Sequence, residues 1–175
     1  MMRKLLPLTL LLSACSAFTP APLPTVYDLG PAPADPIQAP VRLVDVNAPS
    51  WLDGTAMAYR LDYADSRQRQ VFRDSRWLAS PAELIGARLR QRLQTQGEAR
   101  PLRIELESFE QDFSAPGQSE VRVRLHALIG SPASSERVFE AHLPAGADAA
   151  SGVRALASAS DALLGEVLNW AAQQR

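Results

Sequence analysis

The chain's one cysteine stands in Leu12-Ser13-Ala14-Cys15, a setting in which a thiol is acylated. Arg3 and Lys4 form a cationic start, and Leu5 to Leu12 an apolar run interrupted only by Pro7 and Thr9. That run is too short to anchor in a bilayer and reads as the core of an export signal. Small residues directly before a cysteine complete a bacterial lipobox. The thiol takes a diacylglyceryl group, the signal is cut before it, and the new amino terminus is acylated. Several chains together give firm attachment where one would not. The plainer alternative is an ordinary secretory signal with a chance cysteine. Ser16, rather than an aspartate, after Cys15 favours the outer membrane of a Gram-negative cell, facing the periplasm.

Other reactive side chains are sparse. His126 and His142 are the only histidines, and Glu140 lies near them in sequence. The three can be imagined as metal ligands on neighbouring strands, although their spacing is looser than zinc sites usually show, so no metal is expected. Asp53, Asp62 and Asp65 read as turn and surface carboxylates. The chain has no nucleophile elbow, phosphate loop or dinucleotide fingerprint, so no enzymatic activity and no catalytic residue are expected. Between Arg60 and Arg92 stand eight arginines and four acids. That excess can meet an acidic partner or lipid phosphates, because a guanidinium pairs bidentately with either. Arg88 and Arg92, one helical turn apart, read instead as a solvated helix face. Trp51 and Trp77 can anchor an interface or cap the core.

These groups need a framework. Removal of residues 1–14 leaves 161 residues, enough for one domain with a sizeable core. Sixteen arginines against nineteen carboxylates then give a side-chain charge of −3, a poor match for nucleic acid. With Cys15 acylated no thiol remains for a disulfide. Residues 15–40 carry seven prolines and read as a semi-rigid tether of at most roughly 75 Å. Within it, Val26 to Gly30 is expected to dock on the domain as an edge strand.

Residues 41–175 read as one α+β domain of two βββα halves, with antiparallel strands packed against two helices. The first half has strands over 41–46, 56–63 and 70–73, with a polar turn at 64–67. Ser80-Pro81-Ala82-Glu83 is a capping box with proline at the first helical position, so a helix begins there, and Gly97 is its natural stop. In the second half Leu102, Ile104 and Leu106 alternate, and Phe109 and Phe113 lead to a turn at 114–117. Val121, Val123, Leu125, Ala127 and Ile129 alternate with Arg122, Arg124 and His126, the pattern of a half-wet strand. Gly130-Ser131-Pro132 is a turn, 137–143 a strand, and 150–173 an amphipathic helix.

Three segments in order resemble one known family. They are Tyr27-Asp28-Leu29-Gly30, then Pro49-Ser50-Trp51-Leu52-Asp53-Gly54 with Met57-Ala58-Tyr59-Arg60, then Ser75-Arg76-Trp77-Leu78-Ala79-Ser80-Pro81. Together, behind a lipobox, they resemble the ABC-type transport auxiliary lipoproteins, which include the lipoprotein of the paraquat-inducible (Pqi) system. The resemblance runs from about Tyr27 to Ala172. It implies a non-enzymatic, outer-membrane-anchored accessory subunit of an intermembrane lipid transport system. Its partner would be a periplasmic MCE-domain (mammalian cell entry) protein, with a homo-oligomeric ring of copies as one form of the assembly. The resemblance implies no cofactor beyond the covalent lipid on Cys15. Tyr27, Trp51, Tyr59 and Trp77 match motif positions, and Trp51, Tyr59, Trp77, Arg73 and Arg76 are the candidate partner contacts. The competing expectation is a periplasmic carrier holding lipid in an apolar cavity of its own.

Overall fold

A computed structural model describes residues 22–131 and 133–174. The signal, Cys15 and Pro132 lie outside the described residues. The elements in chain order are β1 (Thr25–Tyr27), β2 (Ile37–Asn47), β3 (Ala56–Leu61), α1 (Asp62–Asp65), β4 (Arg69–Trp77), α2 (Pro81–Arg92), β5 (Leu93–Ala115), β6 (Gln118–Gly130), β7 (Ala133–Ala145) and α3 (Ala149–Gln173), with a 3-10 turn at Ser50–Leu52. The fold is a single α+β domain of seven strands in one sheet, with helices on it.

The sheet is mixed rather than antiparallel. Its order is β1-β4-β3-β5-β6-β7, and β2 also pairs with β5. β5 to β7 form an antiparallel meander, and β3 and β4 a hairpin. β1 runs parallel to β4, and β2 and β3 both run parallel to β5. β2 lies along residues 93–105 of β5 and β3 along residues 111–113, so two strands share one edge of a 23-residue strand. The two halves are therefore not equivalent. Periodicity reveals that a strand exists but not which neighbour it takes, and a parallel partner across a helix leaves no local signal.

Alternation decides which face is dry. Val121, Val123, Leu125, Ala127 and Ile129 of β6 are fully buried, while Arg122, Arg124 and His126 stand on the other face. The buried side is covered by α3, whose Leu163, Leu164, Val167 and Leu168 are fully buried, and by α2 through Ile85 and Leu89. Burying one such aliphatic side chain contributes about 1.5–3 kcal/mol. In β5 the phase changes. Leu102, Ile104 and Leu106 face the core, a bulge follows between Leu106 and Ser108, and then Phe109 and Phe113 do. The bulge shifts the alternation by one residue, which turns Glu110 and Asp112 onto the open face.

Several local expectations hold and others shift. Ser80 accepts from the Glu83 backbone N–H and the Glu83 carboxylate accepts from the Ser80 N–H, so α2 starts at Pro81 with its capping box closed. α2 ends at Arg92, before Gly97. Gly97 instead takes φ +62° in a register shift of β5, between the pairs Ala39–Thr95 and Val41–Arg100. The second strand stops at Leu61, where residues 62–65 form one helical turn. The first strand of the domain begins at Ile37, inside the expected tether. β1 is an edge strand as expected, paired with β4.

Arg88 and Arg92 depart furthest from expectation. They are 3% and 4% exposed, turned inward between α2, α3 and the N-terminal segment. Arg88 donates to the carbonyls of Leu29 and Gly30 and lies 3.4 Å from Asp161. Arg92 donates to the Asp161 carbonyl and to Asp35. Sequence spacing placed them on one face of the helix but could not show that a distant segment covers that face.

Candidate functional site: the open face of the sheet

The uncovered face carries a cross-strand network of charge. At its centre the Glu110 side chain, 1% exposed, meets Arg69 at 2.9 Å, Arg60 at 3.1 Å and Arg122 at 3.1 Å. Pairing explains the grouping, since Arg60 stands opposite Arg69 and Glu110 opposite Arg122. Burial pushes the Glu110 carboxyl up, but hydrogen bonds from Arg69 and Arg60, and their charge, outweigh it and leave the pKa lowered. Further along, Arg124 joins Glu107 to Glu140, both at 2.6 Å. His142 lies between Glu120 at 2.9 Å and Glu140 at 3.2 Å, and its pKa is raised chiefly by the hydrogen bond with Glu120.

Asp112 behaves differently. Arg122 approaches one of its oxygens at 3.0 Å, and the other has no hydrogen-bond partner. Burial pushes its pKa up to about 6 against the charge of Arg122, Glu110 and Asp62 add to the rise, and Arg60 opposes it. The native state therefore holds this proton more tightly than the unfolded chain. Stability contributed by protonated Asp112 is lost as pH rises from about 4 through 6. Asp112→Asn is expected to remove that slope and to raise stability at pH 7.5 by about 1–2 kcal/mol. Urea unfolding across pH 4–8 checks it, and an unchanged slope would assign the titration elsewhere.

Trp51 borders the network, with the Arg69 guanidinium carbon 3.3 Å from its ring centroid. The indole is 40% exposed. Beside it, Asn47, Pro49, Trp51, Glu105 and Glu107 line a surface hollow of about 370 Å³. Chemically the face offers guanidinium and carboxylate groups already paired with one another, and one aromatic plate. The metal alternative is not assembled. His142 stands opposite Arg122 and His126 opposite Val138, with the Arg124–Glu140 pair between them. Among the described residues no three His, Cys, Asp or Glu side chains are grouped to hold a metal ion.

The architecture is not unique to this chain. A crystal structure of protein XCC0632 from Xanthomonas campestris, described as DUF330, superposes with a TM-score of 0.69 at 17% identity, covering 85% of this chain and 95% of that one. The fold is that of a DUF330 protein. A second solved structure, of an uncharacterized protein, superposes with a TM-score of 0.62 at 15% identity, covering 85% of this chain and 99% of that one. No family model matches the chain, and no curated protein matches its sequence.

Within this DUF330-like fold the five candidate contact residues do not converge. Trp51 alone touches the charged network, through Arg69. Tyr59 points to the covered side, tilted against Phe72 and edge-on to Phe113, and its hydroxyl donates to Gln70 at 2.7 Å. Trp77 is 2% exposed and packs edge-on against Phe109, so it supports the core and offers a partner no surface. Arg73 is exposed and paired with Asp74, and Arg76 is exposed beside Val26 at the β1 edge. The arginine excess does not form one patch either. Arg60 and Arg69 serve Glu110, Arg67 serves Asp65, and Arg88 and Arg92 are buried. Sequence reasoning does not single out Glu110, the centre of the network; the one signal for it is the change from even to odd apolar positions after Leu106, which is the trace of the bulge.

Proposed function

We propose that this chain is a non-enzymatic, outer-membrane-anchored accessory subunit of an MCE-type intermembrane lipid transporter, its domain held in the periplasm by lipid on Cys15. The ordered motifs behind a lipobox support this reading, as does the likeness to a DUF330 protein, since the family associated with Pqi and MCE systems is known by that description. The observation that favours it over a lipid carrier is the filled space between sheet and helices. Leu102, Ile104, Val123, Leu125, Leu164, Val167 and Leu168 are all 0% exposed, so none of them borders space that a water-sized sphere can enter. An acyl chain needs a lined cavity, and these are the side chains that would line it. No helix among the described residues is long and apolar enough to cross a membrane, so in this reading the attachment is the lipid.

In-cell crosslinking of the tagged chain, followed by purification and mass spectrometry, tests the partner. An MCE-domain protein crosslinked to the chain is expected. Bound lipid on a monomer without such a protein would replace this reading with the carrier. Cys15→Ala tests the anchor. The domain is expected to stay folded while leaving the outer-membrane fraction, and unchanged sedimentation with that membrane would refute the anchor.

A further inference from the structure

The β1 edge concentrates exposed apolar side chains. Leu23 is 92% exposed, Val26 44% and Leu78 64%. Val26 and Leu78 join Val153 and Ala157 of α3 around a groove of about 340 Å³, lined also by Arg154 and Asp28. The Asp28 carboxylate is turned to the Gly30 N–H, which donates to it at 2.7 Å. Arg76 stands beside Val26 in the β1–β4 pairing. A cluster of exposed apolar side chains of this kind marks a surface that meets an apolar partner or a membrane. The chain itself indicates which. Cys15 lies seven residues before Pro22, and seven extended residues reach about 25 Å at most.

We propose that this edge is a membrane-seating surface: Leu23, Val26 and Leu78 enter the interfacial layer of the bilayer that holds the anchor, and Arg76 and Arg154 meet its lipid phosphates. The proposal rests on the anchor reading above. Apolar side chains at the headgroup boundary with arginines beside them give interfacial binding without a spanning helix. Each arginine near an anionic surface changes the ratio of seated to free domain about fivefold. The domain then stands with β1 toward the membrane and β7, at the far end of the strand order, away from it. A short tether thus becomes an orienting device.

The test uses the full lipidated chain in vesicles of phosphatidylethanolamine and phosphatidylglycerol that contain a fraction of spin-labelled lipid. Leu78→Cys carries an NBD fluorophore, and Val138→Cys on β7 carries the same label as control. With Cys15 acylated, each variant has one free thiol. Quenching by the spin-labelled lipid is expected to be several-fold stronger at position 78 than at 138, and to weaken about fivefold in seated-to-free ratio with Arg76→Gln or Arg154→Gln. A chain that floats with the vesicles but is quenched no more at 78 than at 138 overturns the seating and leaves the anchor intact. Protection of position 78 from aqueous iodide without quenching by lipid overturns it in favour of a protein cover. A chain that does not float overturns the anchor and the seating together.

Discussion

Glu110→Gln is expected to cost about 3–5 kcal/mol of folding stability, the range for removing one member of a buried ion cluster. Glutamine preserves the shape of the side chain but not its charge. Arg60, Arg69 and Arg122 would then surround an uncharged side chain, and Asp112, the carboxylate left in contact, touches just Arg122. Two pH effects follow. The lowered pKa of Glu110 means that its contribution is present above the ordinary carboxylate range and is lost as pH falls through the folded value. The variant should therefore lose less stability than the parent on acidification. Asp112, relieved of the like charge of Glu110, should titrate below its present value of about 6. Denaturant unfolding at several pH values gives both results. A loss under about 1 kcal/mol at pH 7.5 would mean that the arginines are satisfied by water and that the network is a surface feature.

Arg88→Ala is expected to release the N-terminal segment as well as lower stability, by about 3 kcal/mol. Arg88 is the donor to the Leu29 and Gly30 carbonyls, and its loss leaves both acceptors and the Asp161 carboxylate without it. The local effect is measurable at one amide. The Leu78 N–H donates to the Tyr27 carbonyl at 2.7 Å, so its hydrogen exchange reports whether β1 is docked. Protection there should fall by more than protection in β6, which global unfolding alone would not produce. Burial already raises the Asp161 pKa, against the charge of Arg88 and Arg92. Without Arg88 the cost of ionising Asp161 grows, so the variant should suffer more at pH 8 than at pH 5. Equal loss of protection in β1 and β6 would show that the segment is not held independently.

The sequence made legible whatever is encoded over a few residues. The capping box of α2, the alternation of β6, the amphipathic face of α3 and an edge strand docking at Val26 and Tyr27 were all readable there, although the strand ends before the expected Gly30. The pairing of β2 with β5 and the burial of Arg88 were not, because each depends on a segment tens of residues away. The candidate site suffered from the same limit. Trp51 announced itself as an aromatic residue in a loop, but Trp77 and Tyr59 looked equivalent to it until the sheet assigned them to the covered face. Arg69 was visible only as one arginine among eight. The cross-strand neighbours that make it special, Arg60 and Glu110, are set by register, and register is a property of two strands together.

The shared edge of β5 bears on how the chain acquires its shape. β2 and β3 do not pair with each other, and each finds its neighbour in a strand that begins at residue 93. The segment before β5 thus holds the three paired strands β1, β4 and β3 and the helix α2, but lacks the central strands that complete the sheet. If the chain emerges amino terminus first, β2 must wait unpaired for β5, and β3 waits for its second neighbour. The β5–β7 meander and α3 are close in sequence and can assemble with little loop-closure entropy, whereas β2 is added across more than fifty residues. Assembly should therefore run from the carboxyl-terminal half backwards, and a cut between α2 and β5 should yield one fragment that associates and one that cannot fold alone.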